Sequence, residues 1–117
     1  MELAEAIAAT VSAVPPEDQE TAVAYIAEEP LERGDVVYVD RRPEVVEKRT
    51  YLGYVDCEAG KNWGHRCRYV RCGVDDSSVE VTLASFPPTL ARGRRQFVPQ
   101  AIGKRVPDWA VLGAPEV

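Results

Sequence analysis

The N-terminal part of the chain carries apolar residues at helical spacing. A stripe that recurs every three to four residues is formed by Leu3, Ile7, Val11 and Val14. Alanine, the best helix former, fills many positions between them, so the spacing predicts a helix over residues 2–14. Pro15 and Pro16 end this helix, and Pro16 also suits the first turn of a second helix over residues 16–28. We therefore expect a helix or a helical hairpin before Pro30.

From Gly34 onwards the apolar period shortens to two, which is typical of strands. The segments with this period, rich in Val, Tyr and Leu, are 35–40, 51–57, 65–72 and 79–86. Residues 41–50 are polar and indicate a loop or a twisted extension of the first strand. Because the other connections are short, an antiparallel meander is the simplest topology. A meander leaves one face to be covered, and the N-terminal helices are available to cover it.

The predicted fold class is therefore α+β, with an N-terminal helix or helical hairpin packed on a four-stranded antiparallel β-meander. The alternative is a small SH3-like β-barrel to which the N-terminal helices are appended. The sequence GDVVYV from Gly34, followed by YLGYV from Tyr51, favours that alternative because such barrels often begin this way.

The C-terminal residues 89–117 combine prolines and glycines with large apolar side chains, including Phe97 and Trp109. Prolines and glycines limit regular structure, yet a disordered tail rarely carries so much apolar surface. We expect a Pro-rich irregular arm that packs on the domain or on a partner. A chain of 117 residues is about one domain long. We divide it into an acidic helical segment, 1–33, an antiparallel sheet, 34–88, and the irregular arm.

Charge is unevenly distributed along the chain, whose formal net charge is −5. Residues 1–33 hold eight acidic residues and one arginine, a net charge of −7, whereas the remainder carries +2. An acidic total argues against nucleic-acid binding, which needs a basic face to neutralise phosphates. No apolar run is long enough to cross a membrane, and the N-terminus lacks the basic start of a secretory signal. With 11 Arg against 3 Lys, we expect a bacterial protein. Three cysteines, an odd number, indicate reduced thiols and hence a cytoplasmic location.

The segment DCEAGKNWGHRCRYVRC, residues 56–72, contains all three cysteines and the only histidine. Four residue types that bind zinc lie within it: Cys57, His65, Cys67 and Cys72. Their spacing does not form the paired knuckles of known zinc sites, and on a strand Cys72 would point away from Cys67. A Cys–His nucleophile is a second interpretation, although a chain this short has little room for a deep cleft. The simplest interpretation is that the cysteines are reduced thiols, half-buried in strands.

These observations favour a non-enzymatic protein-interaction module without a cofactor, such as an inhibitor, an immunity-type protein or a small regulatory subunit. Trp and Arg are enriched among binding hot spots. The residues predicted to bind another protein are Trp63, Arg66, Arg68, Phe97 and Trp109. One alternative is a small thiol or zinc enzyme centred on the cysteines and the histidine. Another is a small-molecule-binding domain with a pocket between helix and sheet. The sequence does not predict the oligomeric state.

Overall fold

A computed structural model describes residues 1–61, 65–90 and 97–111, with Thr89 and Leu90 described by their main chain alone. One α-helix, α1, spans Leu3–Ser12, and single 3₁₀ turns span Pro16–Asp18 and Asp108–Ala110. The strands of the described residues are β1 (Val23–Ala27), β2 (Val36–Val39), β3 (Arg42–Val45), β4 (Thr50–Asp56), β5 (Cys67–Gly73), β6 (Val79–Ala84), β7 (Thr89–Leu90) and β8 (Phe97–Ile102).

Helix α1 confirms the first predicted helix. At its start the main-chain N–H of Glu2 donates to the carboxylate of Glu5 at 3.0 Å, which satisfies a donor that lies outside the helical ladder. At its end Arg68 donates to the carbonyl of Ala13 at 3.4 Å, so a cation lies at the negative end of the helix dipole. Pro15 follows at once and prevents the helix from continuing.

The predicted second helix over residues 16–28 is wrong. Only Pro16–Asp18 form a helical turn, and residues 23–27 are strand β1, in which every residue is buried. A strand that is covered on both faces loses the alternation of polar and apolar positions. The apolar run from Ala22 to Ala27 therefore gives the same short pattern as a buried helix, and periodicity does not separate the two.

The larger sheet has five antiparallel strands in the order β6-β5-β4-β1-β8. Helix α1 packs on one face of this sheet, over β1, β4 and β5. There Gly53 lies directly beneath Thr10, because a Cβ atom at Gly53 would fall 2.1 Å from the Thr10 hydroxyl oxygen. The absence of a side chain on β4 thus sets how closely the helix approaches the sheet.

The smaller sheet has the order β3-β2-β7 and covers the opposite face of the larger one. Between the two sheets lie three buried tyrosines. The rings of Tyr25 and Tyr54 stack with centroids 5.5 Å apart, and Tyr69 meets Tyr54 edge-on at 6.1 Å. Aromatic pairs of this kind bury a large area and add stacking energy. The molecule is therefore α+β, as predicted, with its main core between two sheets.

The four-stranded meander is correct only in part. Strands β4, β5 and β6 are consecutive neighbours in one sheet, but the first predicted strand is β2 of the other sheet. The polar residues 41–50 include strand β3, which pairs with β2 across a turn where Asp40 and Arg41 have φ of 48° and 68°. Left-handed residues at such a turn are typical of tight hairpins.

The irregular C-terminal arm is also corrected, because Phe97–Ile102 form β8, which pairs with β1 at the edge of the larger sheet. Pro99 obscured this strand in the sequence. An edge strand tolerates proline. Pro99 lies opposite Tyr25 of β1, and the pairing register of β1 and β8 shifts at this point, between Ala24 and Tyr25. The two sheets share no strand, so the described residues do not form the closed barrel of the alternative fold.

Candidate partner-binding surface

Three segments of the chain meet at one end of the larger sheet. The main-chain N–H of Ala59, between β4 and β5, donates to the carbonyl of Thr21, and that of Arg105 donates to Glu20, at 3.2 and 2.9 Å. Gly103 lies so close to this turn that a Cβ atom would fall 2.4 Å from the Glu20 carbonyl oxygen. We call this region the turn-end surface; it comprises residues 18–22, 56–61, 65–66 and 103–111.

Arg66 is the centre of an ion-pair network on this surface. Its guanidinium donates to both carboxylate oxygens of Asp18 at 3.1 and 2.8 Å, and its Nε lies 3.2 Å from Glu58. Asp18 is buried, and this bidentate geometry is the strongest form of such a pair. Lys61 also pairs with Glu58. Hydrogen bonds from Lys61 and from the Arg66 main chain lower the pKa of Glu58 to about 2.

His65 is held by acceptors at both ring nitrogens. Its Nδ1 lies 2.9 Å from both carboxylate oxygens of Asp56, and its Nε2 lies 2.6 Å from the carbonyl oxygen of Lys61. Since a carboxylate and a carbonyl only accept, both ring nitrogens are satisfied when the imidazole is protonated, and this geometry favours the charged form. Partial burial lowers the pKa of His65, but the hydrogen bonds to Asp56 and Lys61 and the nearby carboxylate charges outweigh it, so the pKa rises above its usual value.

Trp109 is the large exposed aromatic residue of the turn-end surface, with 74% of its area accessible. It belongs to the 3₁₀ turn that follows Pro107. Its ring lies over Gly60, where a Cβ atom would be 4.0 Å from the ring and 3.7 Å from Pro107. Gly60 has φ of +97°, a conformation that L side chains rarely adopt. The indole thus lies next to a loop in which Glu58 and Lys61 form an ion pair.

The cysteines do not assemble into a reactive centre. All three are buried, and each belongs to a different apolar cluster, Cys67 between the sheets and Cys57 and Cys72 on the helix side. Burial, and then the charge of Asp18, raises the pKa of Cys57 to about 11. Burial likewise raises the pKa of Cys67 to about 12. The Cys67 thiol donates to the carbonyl of its neighbour His65 at 3.3 Å rather than to the imidazole ring.

No group of three or more metal-ligating side chains occurs within residues 1–61, 65–90 and 97–111. The low thiolate population at neutral pH and the engagement of both His65 nitrogens give no support to the thiol or zinc enzyme. Among the described helices, none has the length and hydropathy needed to cross a membrane.

The structure brings together only some of the residues predicted to bind a partner. Arg66 and Trp109 both lie on the turn-end surface. Arg68 faces α1, whereas Phe97 lies on the opposite side of the sheet, edge-on to Tyr54 at 6.0 Å. Arg68 and Phe97 therefore lie on opposite faces of the sheet and do not share one contiguous surface. Trp63 lies outside the described residues.

Sequence reasoning missed two further features. The first is an apolar row of exposed side chains on β6, formed by Val79, Val81 and Leu83, which are 51%, 46% and 74% accessible. Their alternation predicted a strand, but alternation alone does not tell which face other elements leave uncovered.

The second is a cavity of about 450 Å³ between the two sheets. Leu31, Val37 and Leu52 are among its apolar lining residues. Arg71 crosses near its mouth and donates to Glu44 at 2.7 Å. This cavity lies between the two sheets, whereas the sequence suggested a pocket between helix and sheet.

Comparison of the chain with protein-family models, with curated proteins and with solved structures gives no match.

Proposed function

We propose that the protein is a non-catalytic interaction module that binds another protein through its turn-end surface, with Trp109 as the principal contact. The exposure of Trp109 is the observation that supports this most directly. A tryptophan left three-quarters exposed gains nothing from the core and offers a large, rigid contact to a partner.

The charges around Trp109 also suit an interface. Asp18, Glu58 and Asp56 are each paired with Arg66, Lys61 or His65, as described above. Burying an unpaired charge in an interface costs much free energy. Because these charges are already paired, a partner that covers them leaves no unpaired charge buried. The network therefore supplies preorganised polar groups on the same surface as an exposed aromatic side chain, a combination usual in protein interfaces.

The test is substitution of Trp109 by alanine, with affinity capture from the native lysate as the first measurement. A matched control is Val45→Ala, which removes another exposed apolar side chain, 61% accessible, on β3. We expect one stoichiometric partner to bind wild-type protein and V45A, and W109A to weaken that binding by about 2 kcal/mol, roughly thirtyfold. Calorimetry with the purified partner gives the affinities.

The free energy of unfolding of W109A should lie within about 0.5 kcal/mol of that of wild type, because an exposed side chain contributes little to the stability of the fold. Loss of folding in W109A would place Trp109 in the core and contradict its assigned role. A partner that binds W109A as tightly as it binds wild type would show that the interface lies elsewhere.

The cavity between the sheets favours a second candidate function, binding of a small molecule with an apolar body. Its volume is in the range of ligand pockets, and polar side chains surround an apolar floor. The measurement is a thermal-shift screen of small molecules on wild type and on Val45→Trp, whose larger side chain would project into the cavity. A compound that stabilises wild type but not V45W supports this function; equal stabilisation of both contradicts the assigned site.

A further inference from the structure

Strand β6 forms one edge of the larger sheet, and within the described residues no strand pairs with its outer side. Gly73 of β5 donates to the carbonyl of Ser78 at 2.9 Å, which fixes the hydrogen-bonding pattern of the β5–β6 pair. In an antiparallel pair, alternate residues bond to the neighbour and the others point outward. The N–H and C=O groups of Val79, Val81 and Leu83 are therefore the outward ones.

The side chains of the same three residues form the exposed apolar row on β6. They stand opposite Cys72, Val70 and Arg68 of β5, respectively, and so share the face on which α1 packs. Helix α1 lies over β1, β4 and β5, and the row extends beyond it. Backbone groups and apolar side chains are thus exposed at the same positions.

Edge strands usually carry a device that prevents pairing, such as proline, lysine or a bulge. Residues 79–84 contain none of these. The one charged residue of the strand, Glu80, lies on the opposite face, across from Arg71 of β5. Nothing in β6 itself opposes the addition of a strand.

We propose that β6 pairs with β6 of a second copy of this chain, antiparallel and with Val81 opposite Val81 of that copy. In this register Val79 faces Leu83 of the second copy, and Leu83 faces its Val79. All three outward residues then form hydrogen-bonded pairs, each exchanging two N–H···O bonds, about six bonds in all. The two five-stranded sheets become one continuous sheet.

A second copy fits this edge because the apolar row is its own complement under two-fold symmetry. The row has equal spacing on both sides of Val81, so every apolar side chain meets an apolar side chain. On the other face, Glu80 meets Thr82 of the second copy, so no like charges stand directly opposite each other. A single strand pair buries less area than a standard interface, so we expect a reversible, concentration-dependent dimer.

The test introduces a charge at Val81 and measures dimer formation by sedimentation velocity between about 1 µM and about 1 mM protein. Val81→Lys places two lysines opposite each other in the proposed register, and Val81→Glu does the same with two glutamates. We expect each variant alone to raise the dimer dissociation constant at least about tenfold, because like charges directly opposite destabilise a strand pair. An equimolar mixture should dimerise again, since the two charges then attract.

The matched control is Ile102→Lys, which adds the same charge to an exposed apolar residue, 54% accessible, on β8 at the other edge of the larger sheet, and it should dimerise as wild type does. Circular dichroism verifies that each variant is folded. Wild-type protein that stays monomeric throughout this concentration range overturns the proposal. The β6 edge would then be available to a strand or helix of a different protein. A dimer that V81K does not weaken, or that the mixture does not restore, overturns the symmetric register.

Discussion

Substitution of Gly53 by alanine tests the contact that seats α1 on the sheet. The new Cβ atom would lie 2.1, 2.7 and 2.9 Å from Oγ1, Cγ2 and Cβ of Thr10. Thr10 is fully buried, and its hydroxyl donates to the carbonyl of Ala6 at 2.8 Å, so no rotamer change relieves the overlap cheaply. The helix has to move away from β4.

Overpacking of this kind costs about 1–3 kcal/mol, and three simultaneous overlaps place G53A near the upper end. For a domain of this size we expect the thermal midpoint to fall by about 10 °C. Urea denaturation followed by circular dichroism measures the free energy of unfolding, with calorimetry for the midpoint.

A double-mutant cycle with Thr10→Ala isolates the contact. T10A alone loses a buried methyl group and a hydrogen bond. In the G53A background it removes two of the three overlaps, those with Oγ1 and Cγ2, so the double variant should be more stable than the sum of the two losses by at least about 1 kcal/mol. Gly34→Ala is the control, because Gly34 has φ of +93° and open space around it, so it measures backbone strain without overlap. Either of two results refutes this contact: a free energy of unfolding of G53A within about 0.5 kcal/mol of that of wild type, or a double variant whose loss of stability equals the sum of the losses in G53A and T10A.

Three further predictions concern the turn-end network and the thiols. Asp18→Asn should lower the midpoint of urea denaturation, because it weakens the bidentate pair between the buried Asp18 and the exposed Arg66; an unchanged midpoint would show that the pair contributes nothing. The pKa of His65 is raised in the folded protein, so protonation of His65 stabilises the fold. This contribution is complete below the unfolded pKa of about 6.5 and is lost as pH rises through the folded pKa. Wild type should therefore lose more stability than His65→Gln between pH 6 and pH 9. Parallel pH curves for the two proteins would contradict this. Cys67 should react with a thiol reagent at pH 7 far more slowly than in urea, measured by mass spectrometry; equal rates would contradict its burial.

The sequence predicted best where one face of an element is covered and the other is open. Helix α1 has a single apolar stripe, and β6 alternates, so spacing alone identified both. Strand β1 is covered by α1 on one face and by the smaller sheet on the other, so it has no alternation to detect. Strand β8 contains Pro99, which argues against a strand unless its position at the sheet edge is known.

The candidate site shows the same limit in a different form. The sequence identified residues 56–72 as unusual in composition, and the structure places part of that segment at the turn-end surface. The partners, however, come from distant parts of the chain, since Arg66 bonds to Asp18, 48 residues away. Without that pairing, the sequence indicates Arg66 only as a partner-binding residue, and His65 and the cysteines as possible metal ligands. Long-range pairing of charges depends on strand order, which short-range periodicity does not contain.

The two proposed contacts have a joint consequence for stoichiometry. In an antiparallel β6 pair, the C-terminal end of each β6 points away from that of the second copy. The turn-end surface adjoins this end, because the main-chain N–H of His65 donates to the carbonyl of Ser85 at 2.9 Å. A dimer would therefore present its two Trp109 contacts at opposite ends, where two partner molecules bind without interfering. We expect wild type to form a 2:2 complex by light scattering and V81K to form a 1:1 complex with unchanged affinity per site. A loss of partner affinity in V81K would show that the two surfaces are not independent.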